Sequence, residues 1–198
     1  MSTFEETTKA NRVHIGFFGR CNAGKSTLIN MLADQPVSLV SDVAGTTTDP
    51  VSKSMEILPL GPVVIIDTAG VDDQSELGKL RIQKTEEVLP KINLAVYVLR
   101  SDQEPTADDI AWLEKLKQHN VPTALIINEV PDTSGAAYLL EHPELSSLAT
   151  VTDFDNASQG KKRLALLDLL GGLKPVGAET DTSLLDGVVQ PGQTIVLV

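Results

Sequence analysis

The stretch that decides the fold is Gly19-Arg20-Cys21-Asn22-Ala23-Gly24-Lys25-Ser26, which directly follows the apolar run 13–18. It matches the pattern G-x-x-x-x-G-K-[ST] at every specified position. Glycines at both ends let the backbone wrap closely around phosphate oxygens, so that amide groups and the N-terminus of the next helix point at the anion. A glycine-containing turn that binds nothing is the alternative, but residues 27–32 are typical of the required helix. The sequence therefore predicts a phosphate-binding loop between a strand and a helix.

Two side chains of this loop carry the chemistry, and a second motif supports them. Lys25 is expected to reach the β- and γ-phosphates of a nucleotide, and Ser26 to bind the Mg²⁺ that bridges them. Asp67-Thr68-Ala69-Gly70 follows another apolar run, 63–66, and an aspartate at such a strand end can hold Mg²⁺ through water. The Gly70 amide can then sense the γ-phosphate. Together the two motifs predict a nucleoside triphosphatase with a switch.

Composition limits the other possibilities. The 198 residues suit one α/β domain with a short appendage, and 41% hydrophobic residues are typical of a globular protein. No apolar run is long enough to cross a bilayer and the start is polar, so we expect a cytoplasmic protein that binds no membrane. A single cysteine, Cys21, excludes an internal disulfide and an iron–sulfur cluster held by this fragment alone. The net charge of −11 argues against a nucleic-acid partner.

Short apolar runs alternate with helical patterns along the chain, which favours an α/β fold. We predict a mostly parallel six-stranded sheet with helices on both faces and one antiparallel hairpin at a sheet edge. The predicted strands lie near 13–18, 51–58, 62–66, 93–99, 122–128 and 148–152, and the helices near 24–33, 77–90, 106–119, 134–141 and 160–170. Residues 1–11 are expected to be a flexible leader, 12–173 the nucleotide-binding domain, and 174–198 a linker with the start of a truncated following domain.

The segment between the two motifs carries Gly45-Thr46-Thr47-Thr48-Asp49-Pro50-Val51, and residues 55–63 read Met-Glu-Ile-Leu-Pro-Leu-Gly-Pro-Val. With the two motifs and the following Val71-Asp72-Asp73, these residues resemble the P-loop GTPases of the Era and tRNA-modification type. Within that group they closely resemble the FeFe-hydrogenase maturation GTPases, the HydF family. The likeness spans essentially residues 13–100.

This resemblance implies a P-loop GTPase domain at residues 12–173 that binds GTP and GDP with Mg²⁺ and K⁺. It implies potassium-stimulated hydrolysis and a switch in metallocluster maturation. The implied partners are the nucleotide, other hydrogenase maturation proteins and the immature hydrogenase. A homodimer through the switch loops, or through the missing following domain, is one arrangement that the family suggests.

The resemblance also assigns site residues by position. Catalytic roles fall to Lys25, Asn22, Thr47 and Glu76. The implied Mg²⁺ ligands are Ser26, Thr47 and Asp67. Asn22 is an implied K⁺ ligand, and the K⁺ ion would supply the positive charge that an arginine finger gives elsewhere. For Asn22 a simple turn-forming role is the alternative. The residues implied to contact the nucleotide are Asn22, Ala23, Gly24, Lys25, Ser26, Thr27, Thr46, Thr47, Asp67, Gly70, Asn128 and Asp132.

One departure from the usual GTPase pattern concerns hydrolysis. Val71 stands where many GTPases carry a glutamine that orients the attacking water, and an isopropyl group cannot take that role. We therefore expect slow turnover, with water positioned by Asp72, Asp73 or Glu76; alternatively, these acids merely solvate a mobile loop.

In the phosphate loop itself, nearby amides and Lys25 would lower the pKa of the Cys21 thiol, unless Cys21 is simply a variable loop position.

A second departure concerns the base. A GTPase usually recognises guanine through Asn-Lys-x-Asp after a buried strand, but here the strand ends in Asn128-Glu129-Val130-Pro131-Asp132. Asn128 fits, whereas Asp132 lies one residue late, so relaxed base selectivity is expected. An alternative function is therefore a nucleotide-sensing interaction module with little hydrolysis. An RNA- or ribosome-assembly GTPase shares the motifs but is disfavoured by the acidic balance.

Overall fold

The computed structural model describes residues 12–33, 42–43, 50–57, 60–68, 70–73, 75–128, 135–147, 150–154, 159–173 and 175. Strands and helices alternate along these residues. Their order is β1 (Val13–Gly19), α1 (Lys25–Ala33), β2 (Asp42–Val43), β3 (Val51–Ile57), β4 (Gly61–Asp67), α2 (Glu76–Val88), β5 (Leu94–Arg100), α3 (Ala107–Gln118), β6 (Thr123–Asn128), α4 (Gly135–Glu141), β7 (Thr150–Phe154) and α5 (Gln159–Gly172). Two short 3-10 helices, Leu89–Lys91 and Pro143–Ser147, follow α2 and α4.

The strands form one sheet in the order β2-β3-β4-β1-β5-β6-β7. Strands β4, β1, β5, β6 and β7 are parallel, whereas β3 is antiparallel to both β4 and β2. The α/β fold with a mostly parallel sheet is thus confirmed, and so is the β3–β4 hairpin. The count of six strands is wrong, because β2 adds a seventh. The hairpin also does not lie at the edge, since β2 pairs with the outer side of β3 through Asp42 and Val43.

Successive side chains of a strand point to opposite faces of the sheet, so the sheet contributes to two separate hydrophobic cores. Ile15 and Phe17 of β1 are fully buried on the face covered by α1 and α5. Phe18 is fully buried on the opposite face, which α2, α3 and α4 cover. The prediction of helices on both faces is therefore confirmed.

Parallel strands place their carboxyl ends at one edge of the sheet, where α/β proteins bind their ligands. Phe17 of β1 pairs with Asp67 of β4, and Gly19 pairs with Val98 of β5. Arg100 of β5 pairs with Asn128 of β6. The register therefore gathers the phosphate loop, Asp67 and Asn128 at the same edge.

The helix bounds agree with the sequence to within about two residues at each end, as is usual for assigned helix termini. In the part of the chain that the structure describes, no helix is long and apolar enough to cross a membrane. The predicted leader at residues 1–11 lies outside the described residues, as does the predicted tail from residue 176 onward.

Candidate GTP-binding site

The phosphate loop runs from the end of β1 to the first residue of α1, Lys25. The Lys25 side chain is only 7% exposed, and its Nζ donates hydrogen bonds to the backbone oxygens of Gly19 and Arg20, both at 2.8 Å. Burial lowers the pKa of Lys25, and the nearby negative charge of Asp67 opposes that effect. The carbonyl groups of the loop therefore hold the Lys25 ammonium group at the place where a phosphate chain would bind.

The middle of the loop contacts the end of β6. Asn128 Nδ2 donates to the Ala23 oxygen at 3.0 Å, and Gly24 has a φ of 105°. A Cβ at Gly24 would lie 2.5 Å from Asn128 Nδ2, so only glycine fits this backbone and this contact. The structure thus brings together three of the predicted nucleotide-binding residues, Ala23, Gly24 and Asn128.

Asn22 also has a left-handed backbone, with φ of 60°, a conformation that asparagine tolerates better than most residues. Its side chain is exposed, and its backbone oxygen lies 3.5 Å from Arg100 Nη1. Both interpretations of Asn22, the turn-former and the potassium ligand, fit this geometry. The role of Asn22 stays a prediction.

The two described candidates for Mg²⁺ binding are in contact. Ser26 Oγ donates to Asp67 Oδ2 at 3.2 Å. Burial raises the pKa of Asp67, and the Ser26 hydrogen bond and the charges of Lys25 and Lys53 offset it in part. Hydroxyl and carboxylate oxygens are ligands that Mg²⁺ prefers, and a cation would stabilise the partly buried carboxylate. These residues therefore fit the predicted metal; the third candidate, Thr47, lies outside the described residues.

The segment after β4 packs directly on the phosphate loop. Thr68 Oγ1 donates to the Phe17 oxygen at 2.6 Å, and the Val71 amide donates to the Gly19 oxygen at 3.3 Å. A Cβ at Gly70 would collide with Cys21 Sγ and lie 2.7 Å from the Cys21 nitrogen. The predicted γ-phosphate sensor thus lies against the loop that would hold the phosphates.

Asp72 also joins this segment to the loop. Its Oδ1 accepts a hydrogen bond from the Cys21 amide at 2.7 Å. Burial, and then the charge of Asp72, raise the pKa of the Cys21 thiol, whereas Lys25 lowers it to a smaller extent. The expectation of a lowered Cys21 pKa is therefore wrong, because burial and the neighbouring carboxylate outweigh the effect of Lys25.

The candidates for positioning water differ in where the structure places them. The Val71 side chain is 6% exposed and packs into the core cluster beneath α2 and α3, so it faces away from solvent. Glu76 is 99% exposed in its side chain, and its ion-pair partner is Lys79 at 3.8 Å. Asp73 accepts hydrogen bonds from the amide and hydroxyl of Ser75, which lower its pKa. Of these acids, Asp72 is the one seen in contact with the phosphate loop.

Three further predicted residues, Thr46, Thr47 and Asp132, lie outside the described residues. Thr27 lies on the first turn of α1, and its side chain is exposed. Two residues that were not predicted, Arg20 of the phosphate loop and Asp109 of α3, form an ion pair at 3.2 Å. The available signal was Thr106-x-x-Asp109, a capping pattern at the start of α3.

Known proteins with similar sequences are GTPases. The tRNA modification GTPase MnmE of Chromobacterium violaceum is 33% identical over 163 residues, which are 80% of this chain and 35% of that protein. MnmE of Endomicrobium trichonymphae is 32% identical over 121 residues, 59% of this chain and 26% of that protein. The chain therefore spans about a quarter to a third of the length of these curated relatives.

Solved structures with the same fold include two of Era. Aquifex aeolicus Era bound to GDP and aluminium fluoride aligns with a TM-score of 0.59 at 22% identity, covering 82% of this chain and 58% of that one. An Era complex with MgGDPNP and nucleotides 1506–1542 of 16S ribosomal RNA aligns with a TM-score of 0.60 at 21% identity, covering 84% and 59%. Residues 14–129, more than half of the chain, match the family described as 50S ribosome-binding GTPase. The chain belongs to this GTPase family.

Proposed function

We propose that this chain is a magnesium-dependent GTPase with slow, potassium-stimulated turnover, and that it serves as a switch in the maturation of FeFe-hydrogenase metalloclusters. The observation that carries the switch is the contact of Asp72 with the Cys21 amide, which ties the segment after β4 to the phosphate loop. A nucleotide in that loop would rearrange this contact. The proposed domain is residues 12–173, followed by a linker into a further domain.

The chemistry follows from the described side chains. Lys25 would exchange its two backbone acceptors for β- and γ-phosphate oxygens, and Ser26 and Asp67 would hold Mg²⁺. When bound, Mg²⁺ supplies charge neutralisation on the phosphate oxygens. Val71 cannot orient water because its side chain is buried, which supports slow turnover. Asn22 with K⁺ is the proposed source of additional positive charge at the phosphates.

The hydrogenase role rests on the resemblance of residues 45–51, 55–63 and 67–73 to the maturation GTPases. The relatives matched above are named for tRNA modification, and the Era complex contains ribosomal RNA. A net charge of −11 argues against an RNA-binding surface on this chain, because RNA phosphates repel a negatively charged protein. Other maturation proteins and the immature hydrogenase are the proposed partners, with a homodimer as one form of the active protein.

A chromosomal Lys25→Ala allele tests this function in the organism that encodes the chain. We expect loss of FeFe-hydrogenase activity with normal tRNA modification, because the variant lacks the phosphate-binding ammonium. The control is Lys91→Ala, which removes an exposed lysine just before β5, at the opposite end of the parallel strands. Loss of tRNA modification with full hydrogenase activity would contradict the proposal and assign the chain to the chemistry of the MnmE relatives.

A second candidate, a nucleotide-sensing module with little hydrolysis, is favoured by the burial of Val71. Turnover in potassium and in sodium, with ATP as competitor, separates the two functions. Potassium-stimulated GTP turnover supports the switch enzyme. Tight GTP binding without turnover in either salt supports the sensor, and equal competition by ATP would show relaxed base selection.

A further inference from the structure

Arg20, the second residue of the phosphate loop, directs its side chain away from the loop and toward a fully buried carboxylate. Arg20 Nε lies 3.2 Å from Asp109 Oδ2, and Arg20 Nη2 donates to the Glu104 backbone oxygen at 3.0 Å. The Arg20 side chain is 14% exposed and that of Asp109 is 0% exposed. The mechanism proposed above does not use this pair.

Asp109 is held from several directions. Its Oδ2 accepts hydrogen bonds from the Thr106 amide and hydroxyl, both at 2.8 Å, and its Oδ1 accepts one from the Tyr97 hydroxyl at 2.9 Å. Thr106 and Asp109 also form the capping box at the start of α3. A buried carboxylate is costly unless it is paired and hydrogen-bonded, and a neutral side chain would also cap a helix. The charge of Asp109 therefore matches the guanidinium of Arg20.

The backbone of Arg20 connects this buried pair to the phosphate-binding lysine. The Arg20 oxygen accepts hydrogen bonds from Lys25 Nζ at 2.8 Å and from the Ala23 amide at 3.2 Å. The same residue is thus anchored to α3 through its side chain and to Lys25 through its carbonyl. A shift of the Arg20 side chain would move the carbonyl that orients the ammonium group.

Arg100 provides a second link from the same region. It binds Asp102 through two hydrogen bonds, at 2.9 Å and 2.7 Å, and its Nη1 lies 3.5 Å from the Asn22 oxygen. The segment from the end of β5 to the start of α3 therefore contacts the phosphate loop at two points, through Arg20 and Arg100.

We propose that Arg20 and Asp109 are positioning residues of the GTPase, which fix the phosphate loop against the start of α3 and thereby orient Lys25. This inference depends on the GTPase activity and not on the hydrogenase role. Disturbing the start of α3 should therefore impair turnover.

The test compares two variants that each change one donor to the same carboxylate. Arg20→Lys keeps the positive charge but loses the paired Nε and Nη2 contacts, whereas Tyr97→Phe removes the hydroxyl that donates to the other carboxylate oxygen, Oδ1. The readouts are kcat and KM for Mg·GTP and the melting temperature of the full chain. We expect both variants to melt lower. A misplaced reacting group can cost up to about a hundredfold, so kcat/KM should fall at least about tenfold for Arg20→Lys. It should stay within about twofold for Tyr97→Phe.

Parallel losses of kcat/KM in the two variants would overturn the proposal, because they would reveal a purely structural role. Unchanged turnover in Arg20→Lys would overturn it as well. If Arg20→Lys does not fold, Asp109→Asn decides, because it keeps the shape and removes the charge. In that variant, kcat/KM within about twofold of the wild type at a temperature where both are folded would refute positioning by the ion pair. Failure of the hydrogenase assay alone would leave this result unaffected.

Discussion

Gly24→Ala is the substitution whose cost the structure defines best. The residue has a φ of 105°, which costs an L-residue about 1–3 kcal/mol of strain. The added Cβ would lie 2.5 Å from Asn128 Nδ2, so the hydrogen bond from Asn128 to Ala23 must break, at about 1 kcal/mol. We therefore expect Gly24→Ala to lower the free energy of unfolding by about 2–4 kcal/mol in total.

A double-mutant cycle with Asn128→Ala separates the two causes. Asn128→Ala alone should cost about 1 kcal/mol, because it removes the same hydrogen bond without backbone strain. In the double variant the collision is absent, so its cost should equal that of Gly24→Ala alone. The sum of the costs of the two single variants should then exceed the cost of the double variant by about 1 kcal/mol. Urea unfolding of the nucleotide-free chain measures all four proteins. Additivity within about 0.3 kcal/mol would refute the proposed contact between Gly24 and Asn128.

Three further predictions concern single side chains. Burial and Asp72 raise the pKa of Cys21, so the pH midpoint of its alkylation by iodoacetamide should lie above that of free cysteine. Asp72→Asn should lower this midpoint, and an unchanged midpoint would contradict the role of Asp72. Burial raises the pKa of Asp67, so the ionised carboxylate destabilises the folded protein. Asp67→Asn should therefore become more stable than the wild type only as the pH rises above about 4. Thermal melts across pH would disagree if that gain were largest in acid. Asn22→Ala should abolish potassium stimulation of GTP turnover, and stimulation that survives in the variant would exclude Asn22 as the ligand.

Local patterns in the sequence were enough to predict most of the fold and the centre of the site. The strand before Gly19 and the helix after it follow from apolar runs and the glycine-lysine pattern, and the strand ending at Asp67 follows from a similar run. Parallel strands bring such ends together, which is why Ser26 and Asp67 meet. Strand β2 escaped prediction because two residues, Asp42 and Val43, are too few to show alternation.

What sequence could not predict depends on contacts between distant residues. The raised pKa of Cys21 comes from burial and from the return of Asp72 to the loop, and no local pattern indicates either. The ion pair of Arg20 with Asp109 likewise joins the loop after β1 to the start of α3. The capping pattern at Thr106 predicts that Asp109 lies in the first turn of a helix, but not that its carboxylate has a cationic partner.

The central claim is that the loop from Gly19 to Ser26 binds the phosphates of GTP through Lys25. Calorimetry with Mg·GTP on the full chain tests it most directly, with Lys25→Ala as the variant and Lys91→Ala as the control. A charged hydrogen-bond donor contributes enough that its removal should weaken binding roughly ten- to a hundredfold, while the control should match the wild type. The absence of binding by the folded wild type, or equal affinity in Lys25→Ala, would contradict the account.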